Sequence, residues 1–119
     1  MKKKVLVVDD SLYMRTLIKD ALSEAGFEIV GMAATGEAAI DMAIELQPDI
    51  VTLDNILPDM LGIDILKVFK EEEMQSKVVM ISAVGQQSVV AEGLSLGASD
   101  YIVKPFTAEQ LVEAIRKIA

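Results

Sequence analysis

The chain has 119 residues, with no cysteine, histidine or tryptophan, 11 basic and 19 acidic side chains, and a formal net charge of −8 at pH 7. Without histidine or cysteine it contains no Ser-His-Asp triad, no Cys-His nucleophile, no disulfide and no zinc site with nitrogen or sulfur ligands. The negative charge argues against nucleic acid or an anionic membrane surface as a partner. The remaining chemistry is that of carboxylate, lysine, arginine and hydroxyl groups, or of a hard metal held by oxygen.

Length and composition predict one domain, residues 1–119. Hydrophobic residues make up 52% of the chain, enough for a filled core in a domain that buries roughly two-thirds of its unfolded surface. The basic residues 2–4 precede only four apolar residues before Asp9, too few for a signal peptide, and no apolar run approaches membrane-spanning length. We therefore expect a cytoplasmic protein that contacts neither membrane nor nucleic acid.

Strands and helices are predicted to alternate five times. Nearly continuous apolar runs, which favour strands covered on both faces of a parallel sheet, occupy residues 5–8, 50–53, 78–81 and 101–103. A weaker strand over residues 28–33 contains Gly31 and is better placed at an edge. Helical spacing of apolar residues follows each strand, over residues 14–25, 36–45, 63–70, 86–96 and from Thr107 onward. This alternation predicts an α/β, doubly wound sheet with helices on both faces.

Local signals mark two of the helix ends. Gly26 follows the first helix at the position where many helices stop in a left-handed residue. Thr107 and Gln110 have the spacing of a capping box at the start of the last helix.

Polar and charged side chains follow the ends of four strands. In chain order these are Asp9 and Asp10, Asp54, Ser82, and Lys104. Because parallel strands end at the same edge of the sheet, where sheets of this class bind ligands, we expect these groups to lie together. Each also has a structural explanation: the first two acids and Ser11 could cap a helix, and the others could be turn or loop residues.

A cluster of three carboxylates with a hydroxyl and an ammonium implies a particular chemistry. Two carboxylates about 4 Å apart repel by roughly 4 kcal/mol at an effective dielectric constant of about 20. Either a shared proton or a cation must relieve that repulsion, and Mg²⁺ suits an acidic site with oxygen ligands. A carboxylate beside a metal, a lysine and a hydroxyl can attack a phosphoryl group and form an acyl phosphate. The joint pattern favours this function over the separate structural explanations.

Several motifs together carry a family resemblance: residues 7–10, 48–54, Pro58 with Gly62, 81–83, 97–98 and 100–106. On these motifs the chain resembles a response-regulator receiver domain of two-component signalling along its whole length, and most of all the stand-alone chemotaxis-type (CheY-like) regulators. The resemblance implies a flavodoxin-like (βα)5 fold with strand order 2-1-3-4-5, for which chemotaxis regulators are a standard example. It implies a signalling protein that catalyses only its own phosphotransfer and dephosphorylation, with a histidine kinase as phosphodonor.

The resemblance also implies a metal site around the phosphoacceptor. Asp54 would accept the phosphoryl group. Mg²⁺ would be bound by Asp10 and Asp54 directly, by Asp9 largely through water, and by the backbone carbonyl of Ile56.

Further positions would bind the phosphoryl group and respond to it. Lys104, the Ser82 hydroxyl and the Ala83 amide would contact the phosphoryl oxygens. Tyr101 would follow Ser82 as an aromatic switch that changes rotamer between exposed and buried. The peptide bond between Lys104 and Pro105 would be cis.

The resemblance places the output surface on the fourth helix, fifth strand and fifth helix. Its partner would be a downstream target such as a flagellar switch component, with a phosphatase as a further partner. The fourth helix carries Val89, Val90, Leu94 and Leu96, more apolar residues than one buried face needs. This excess supports partner binding at that helix.

Two positions depart from the pattern of many relatives. Ile56 and Val84 are aliphatic where polar or charged groups are common, and they would hinder a water molecule that attacks the phosphoryl group. We therefore expect slow self-dephosphorylation.

Three other interpretations remain open at this point. The chain could be a receiver excised from a longer, for example DNA-binding, regulator. A metal-dependent phosphohydrolase with an Asp nucleophile would need a second acid where Ile56 stands. A flavodoxin-like nucleotide or flavin binder would need a phosphate loop where Asp9 and Asp10 stand.

Overall fold

The computed structural model describes residues 2–119, which form five strands and five helices in strict alternation. In chain order these are β1 (Lys4–Val8), α1 (Leu12–Glu24), β2 (Glu28–Ala33), α2 (Gly36–Leu46), β3 (Ile50–Leu53), α3 (Gly62–Glu71), β4 (Lys77–Ser82), α4 (Gln87–Ser95), β5 (Asp100–Val103) and α5 (Ala108–Ile118). The strands form one parallel sheet in the order β2-β1-β3-β4-β5. The predicted fold class and strand order are confirmed, and β2 lies at an edge as expected.

Two apolar clusters cover the two faces of the sheet. One contains Val5 and Val7 of β1 with residues of α1 and α5, and the other contains Leu6 and Val8 with residues of α2 and α3. Successive side chains of a strand point to opposite faces, so a strand buried on both sides must be apolar throughout. This explains the continuous apolar runs of the sequence.

Side-chain caps and glycines define the helix ends. Ser11, Thr35 and Thr107 cap α1, α2 and α5, and Thr107 forms the predicted capping box with Gln110. Gly26, after α1, has a φ angle of +97°, a conformation that glycine adopts without steric cost. Across residues 2–119, no helix combines the length and apolar character needed to cross a membrane.

Candidate functional site

Three aspartates meet at the carboxyl ends of the neighbouring strands β1 and β3. Asp9 and Asp54 are 1% and 7% exposed, whereas Asp10 is exposed. Each contributes a carboxylate oxygen to a group in which all three oxygens lie within 4.8 Å of one another. The structure therefore brings together the three acids that the sequence placed at these strand ends.

Helix capping does not account for these acids, because Ser11 performs it. The Ser11 hydroxyl accepts a hydrogen bond from the amide of Met14 at 3.2 Å. Asp9 Oδ1 accepts one from the Ser11 amide at 2.9 Å, which fixes the turn between β1 and α1. The other oxygen of Asp9 is directed to Lys104.

Lys104 supplies a positive charge to this cluster. Its Nζ lies 2.7 Å from Asp9 Oδ2 and 3.4 Å from Asp54 Oδ2. Burial lowers the pKa of the Lys104 ammonium, but hydrogen bonding and charge attraction from Asp9 and Asp54 outweigh that effect, so the pKa is raised overall. The lysine is thus held in its charged form between the two buried acids.

The surroundings of Asp54 only partly stabilise its negative charge. Burial raises the pKa of Asp54, and the charge of Asp9 adds to the rise. The amide of Ile56, which donates to Asp54 Oδ1 at 3.2 Å, and the ammonium of Lys104 lower the pKa but do not cancel the increase. Three acids face one lysine at this site, and this excess of oxygen ligands and negative charge fits a hard divalent cation such as Mg²⁺.

The two expected switch residues both bond to the loop after β4. Ser82, the last residue of β4, is buried, and its Oγ accepts a hydrogen bond from the Val84 amide at 3.2 Å. The half-buried Tyr101 donates its hydroxyl hydrogen to the Val84 carbonyl at 2.6 Å. Ala83, which lies between Ser82 and Val84 in the chain, is exposed. Val84 therefore connects Ser82 to Tyr101 through its backbone, a link that the sequence did not reveal.

Two further features complete the site. The bond between Lys104 and Pro105 is cis. Arg15, one turn into α1, donates from its guanidinium to the Asp9 carbonyl at 2.6 Å. The sequence pattern did not predict this contact, because the only signal for it is a basic residue about one turn after the paired acids.

Comparisons with known proteins agree with this site. The family model described as response regulator receiver domain matches residues 5–116. The chemotaxis protein CheY of Thermotoga maritima is 44% identical over 119 residues, covering 100% of this chain and 99% of that protein. CheY of Bacillus subtilis is 45% identical over 117 residues and 98% of each protein. The solved CheX-CheY-BeF3-Mg complex of Borrelia burgdorferi has a TM-score of 0.94 at 34% identity, covering 98% of this chain and 88% of that chain.

The chain belongs to the response-regulator receiver domain family. It is a CheY-like receiver domain, a chemotaxis response regulator that acts as a signalling protein, and its phosphoaccepting role follows from the family. Receiver domains bind Mg²⁺ at an acidic cluster of the kind that Asp9, Asp10 and Asp54 form.

Proposed function

We propose that Asp54 is the residue that accepts the phosphoryl group, and that a histidine kinase donates it in a Mg²⁺-dependent reaction. The observation that carries this proposal is the setting of Asp54, a buried carboxylate between the Ile56 amide and the Lys104 ammonium. Asp9 and Asp10 provide further metal ligands. Asp54 alone among the three acids contacts both the Ile56 amide and the Lys104 ammonium.

The metal ligands in this proposal are the carboxylates of Asp9, Asp10 and Asp54 and the backbone carbonyl of Ile56. Bound Mg²⁺ supplies charge neutralisation for the phosphoryl oxygens and for the crowded acids. The clustering of the three carboxylates supports this ligand set.

The transfer needs one nucleophilic displacement at phosphorus. A carboxylate oxygen of Asp54 attacks the phosphorus of a phosphohistidine, a P–O bond forms, the P–N bond breaks, and the electron pair remains on the imidazole nitrogen. Lys104, the Ser82 hydroxyl and the Ala83 amide bind the oxygens of the transferred group. Because these 119 residues contain no histidine, the donor histidine lies outside them.

The output surface in this proposal is made by α4, β5 and α5. Gly93 alone is buried among the residues of α4, a helix that the structure describes in full. Leu94 of α4 and Val103 of β5 leave more than two-fifths of their surface exposed. This apolar surface supports binding of a downstream protein such as a flagellar switch component, with a phosphatase as a further partner.

The remaining features of the proposal concern the whole chain. Residues 1–119 act as a single receiver domain in the cytoplasm, and their catalysis is confined to their own phosphotransfer and dephosphorylation. The aliphatic Ile56 and Val84 slow the dephosphorylation.

Intact mass after incubation with acetyl phosphate tests the proposed phosphoacceptor. We expect one phosphoryl adduct in Mg²⁺, none with a chelator, and none in Asp54→Asn. Asp41→Asn, at an exposed position of α2, is the matched control and should form the adduct normally. An adduct that persists in Asp54→Asn would place the acceptor elsewhere, and unmodified protein with steady turnover of acetyl phosphate would favour a phosphohydrolase.

A further inference from the structure

The loop between β3 and α3 doubles back on itself directly after Asp54. Ile56 and Leu61 pair as an isolated antiparallel bridge. The amide of Leu57 donates to the Met60 carbonyl at 3.2 Å, which closes the turn at the tip of the loop. Ile56, at the base of this hairpin-like loop, donates its amide to Asp54 Oδ1. The position of the loop therefore determines where the backbone of Ile56 lies relative to Asp54.

The tip of this loop is fastened to the start of α2 by Asp59. Asp59 Oδ1 accepts a hydrogen bond from the Gly36 amide at 2.7 Å, and Oδ2 accepts one from the Glu37 amide at 3.0 Å. These two bonds lower the pKa of Asp59, so the carboxylate is ionised at neutral pH. Thr35 Oγ1 accepts from the next amide, that of Ala38, at 3.2 Å. Three of the free amides at this helix end are therefore bound by side chains, two by Asp59 of the β3–α3 loop and one by Thr35.

The contact between loop and helix is also close in the steric sense. A Cβ atom at Gly36 would overlap the side chain of Met60 and lie 3.3 Å from Asp59 Oδ1. Gly36 is buried, and Leu57 and Met60 pack into the apolar cluster beneath. The apolar contacts hold the loop against the core. The paired hydrogen bonds of Asp59 fix the orientation of the loop on α2, because both carboxylate oxygens must face adjacent amides.

We propose that Asp59 is a positioning residue for the phosphoacceptor site, which fixes the β3–α3 loop on α2 and so holds the Ile56 backbone at Asp54. This inference rests on the proposed function, in which the Ile56 carbonyl is a metal ligand. Asp59 is exposed and lies three residues beyond Ile56, so it acts through the loop and touches no reacting group. Its loss should reduce Mg²⁺ affinity, whereas loss of another cap of the same helix should reduce stability alone.

Asp59→Ala and Thr35→Ala form a matched pair that separates the two effects. Each variant removes a side-chain acceptor from the same helix end, but only Asp59→Ala releases the loop. For Asp59→Ala we expect Mg²⁺ affinity, measured by titration calorimetry with the metal alone, to fall on the order of tenfold, as for residues that orient metal ligands. For Thr35→Ala we expect wild-type Mg²⁺ affinity. Its melting temperature should fall by about as much as that of Asp59→Ala. Hydrogen exchange at the amides of Ile56 and Leu57 should accelerate only in Asp59→Ala.

Asp59→Asn provides a second, milder variant. Its carboxamide offers one acceptor oxygen and places an NH2 group opposite the other amide, so its Mg²⁺ affinity should lie between those of the wild type and Asp59→Ala. If Asp59→Ala does not fold, this variant alone decides, and wild-type affinity in it would overturn the proposal. Equal changes in Asp59→Ala and Thr35→Ala would also overturn it. Wild-type protein that binds Mg²⁺ but forms no adduct with acetyl phosphate would instead refute the phosphoacceptor function and leave the positioning role to be judged from metal affinity.

Discussion

At the scale of single residues, Asp54 is charged in a place that disfavours charge. It is almost fully buried and lies close to Asp9, whose negative charge repels it, while Lys104 is shared between the two acids. Burial and repulsion raise the pKa of Asp54 despite the hydrogen bond from Ile56. In the metal-free protein, the ionised form of Asp54 therefore favours folding less than its protonated form does.

Asp54→Asn should stabilise the metal-free protein at neutral pH. The carboxamide has nearly the same shape but no charge, and Lys104 keeps its 2.7 Å contact with Asp9. We expect a gain on the order of 1 kcal/mol, or roughly 4 °C in melting temperature for a domain of this size. Calorimetry with a chelator measures the gain, and the stabilisation by Mg²⁺ should be smaller in the variant than in the wild type.

The pH dependence of that gain has a definite sign. Because the pKa of Asp54 is raised above its usual 3.8, protonation favours the folded state, and the stability gained in acid is lost as pH rises through the raised pKa. The advantage of Asp54→Asn should therefore be present at neutral pH and disappear below about pH 3.8. Asp41→Asn, in contrast, should show no such advantage. A variant that is less stable than the wild type at neutral pH would contradict this account.

We expect Ile56 and Val84 to limit the access of water to the phosphoryl group at the proposed site. Ile56 is 53% exposed beside Asp54, and its side chain offers no group that could orient a water molecule. Ile56→Asn and Val84→Glu should shorten the lifetime of the acyl phosphate by about tenfold, since a polar group there can position the attacking water. Decay of the phosphorylated mass after removal of acetyl phosphate gives the rate.

Ile44→Asn is the control for this prediction. Ile44 is 45% exposed on α2, so its substitution makes a comparable change of surface polarity away from the site. Its acyl phosphate should decay at the wild-type rate. Unchanged decay in Ile56→Asn and Val84→Glu would refute the role of these side chains.

At the scale of helices, strands and loops, the sequence predicts the features that depend on residues close together in the chain. The capping box of Thr107 and Gln110 and the left-handed Gly26 have local signals, and both were predicted. Parallel strand ends also predicted that the acids and Lys104 would meet. The bonds of Asp59 to Gly36 and of Tyr101 to Val84 were not predicted, because each joins a loop to a helix or strand 23 or 17 residues away and no periodic pattern marks such partners.

Gly62, the first residue of α3, permits the closest backbone approach at the site. A Cβ there would lie 2.6 Å from the Asp54 carbonyl and 2.9 Å from Cα of Asn55. Neither backbone atom can move without displacing the end of β3, so Gly62→Ala should cost about 2–4 kcal/mol of unfolding free energy. It should also weaken Mg²⁺ binding. Urea unfolding and calorimetric titration measure the two effects.

Gly26→Ala provides the contrast, because that glycine is required by conformation alone. Its φ is +97°, and beyond Gly26 and its two chain neighbours no atom lies within 4 Å of an added Cβ. We expect a cost of about 1–2 kcal/mol with no change in Mg²⁺ affinity. If both variants lowered Mg²⁺ affinity equally, crowding at Asp54 would not be the cause of the effect in Gly62→Ala.

At the scale of the whole molecule, the proposed phosphoryl site and the proposed output surface involve different strands of one sheet. The acids end β1 and β3, whereas Leu94 and Val103 are exposed on α4 and β5. The loop after β4 connects the two regions, because the Val84 backbone bonds to Ser82 on the site side and to Tyr101 on the β5 side. Tyr101 also lies against α4, because a Cβ at Gly93 would be 3.5 Å from its ring. Contacts therefore run from Ser82 through Val84 and Tyr101 to α4.

Tyr101→Phe tests whether that path transmits the signal. The variant loses the 2.6 Å hydrogen bond to the Val84 carbonyl, so we expect a loss of about 1 kcal/mol in stability and unchanged Mg²⁺ binding and adduct formation. The amide shifts that acetyl phosphate induces in α4, measured by ¹H–¹⁵N spectra, should become smaller. Without the hydroxyl bond, a movement of the loop after β4 on phosphorylation changes the position of the aromatic ring less. Tyr13→Phe removes a hydroxyl from a residue that is 74% exposed and should leave those shifts as in the wild type. Wild-type shifts in Tyr101→Phe would mean that the hydrogen bond from Tyr101 to Val84 does not transmit phosphorylation to α4.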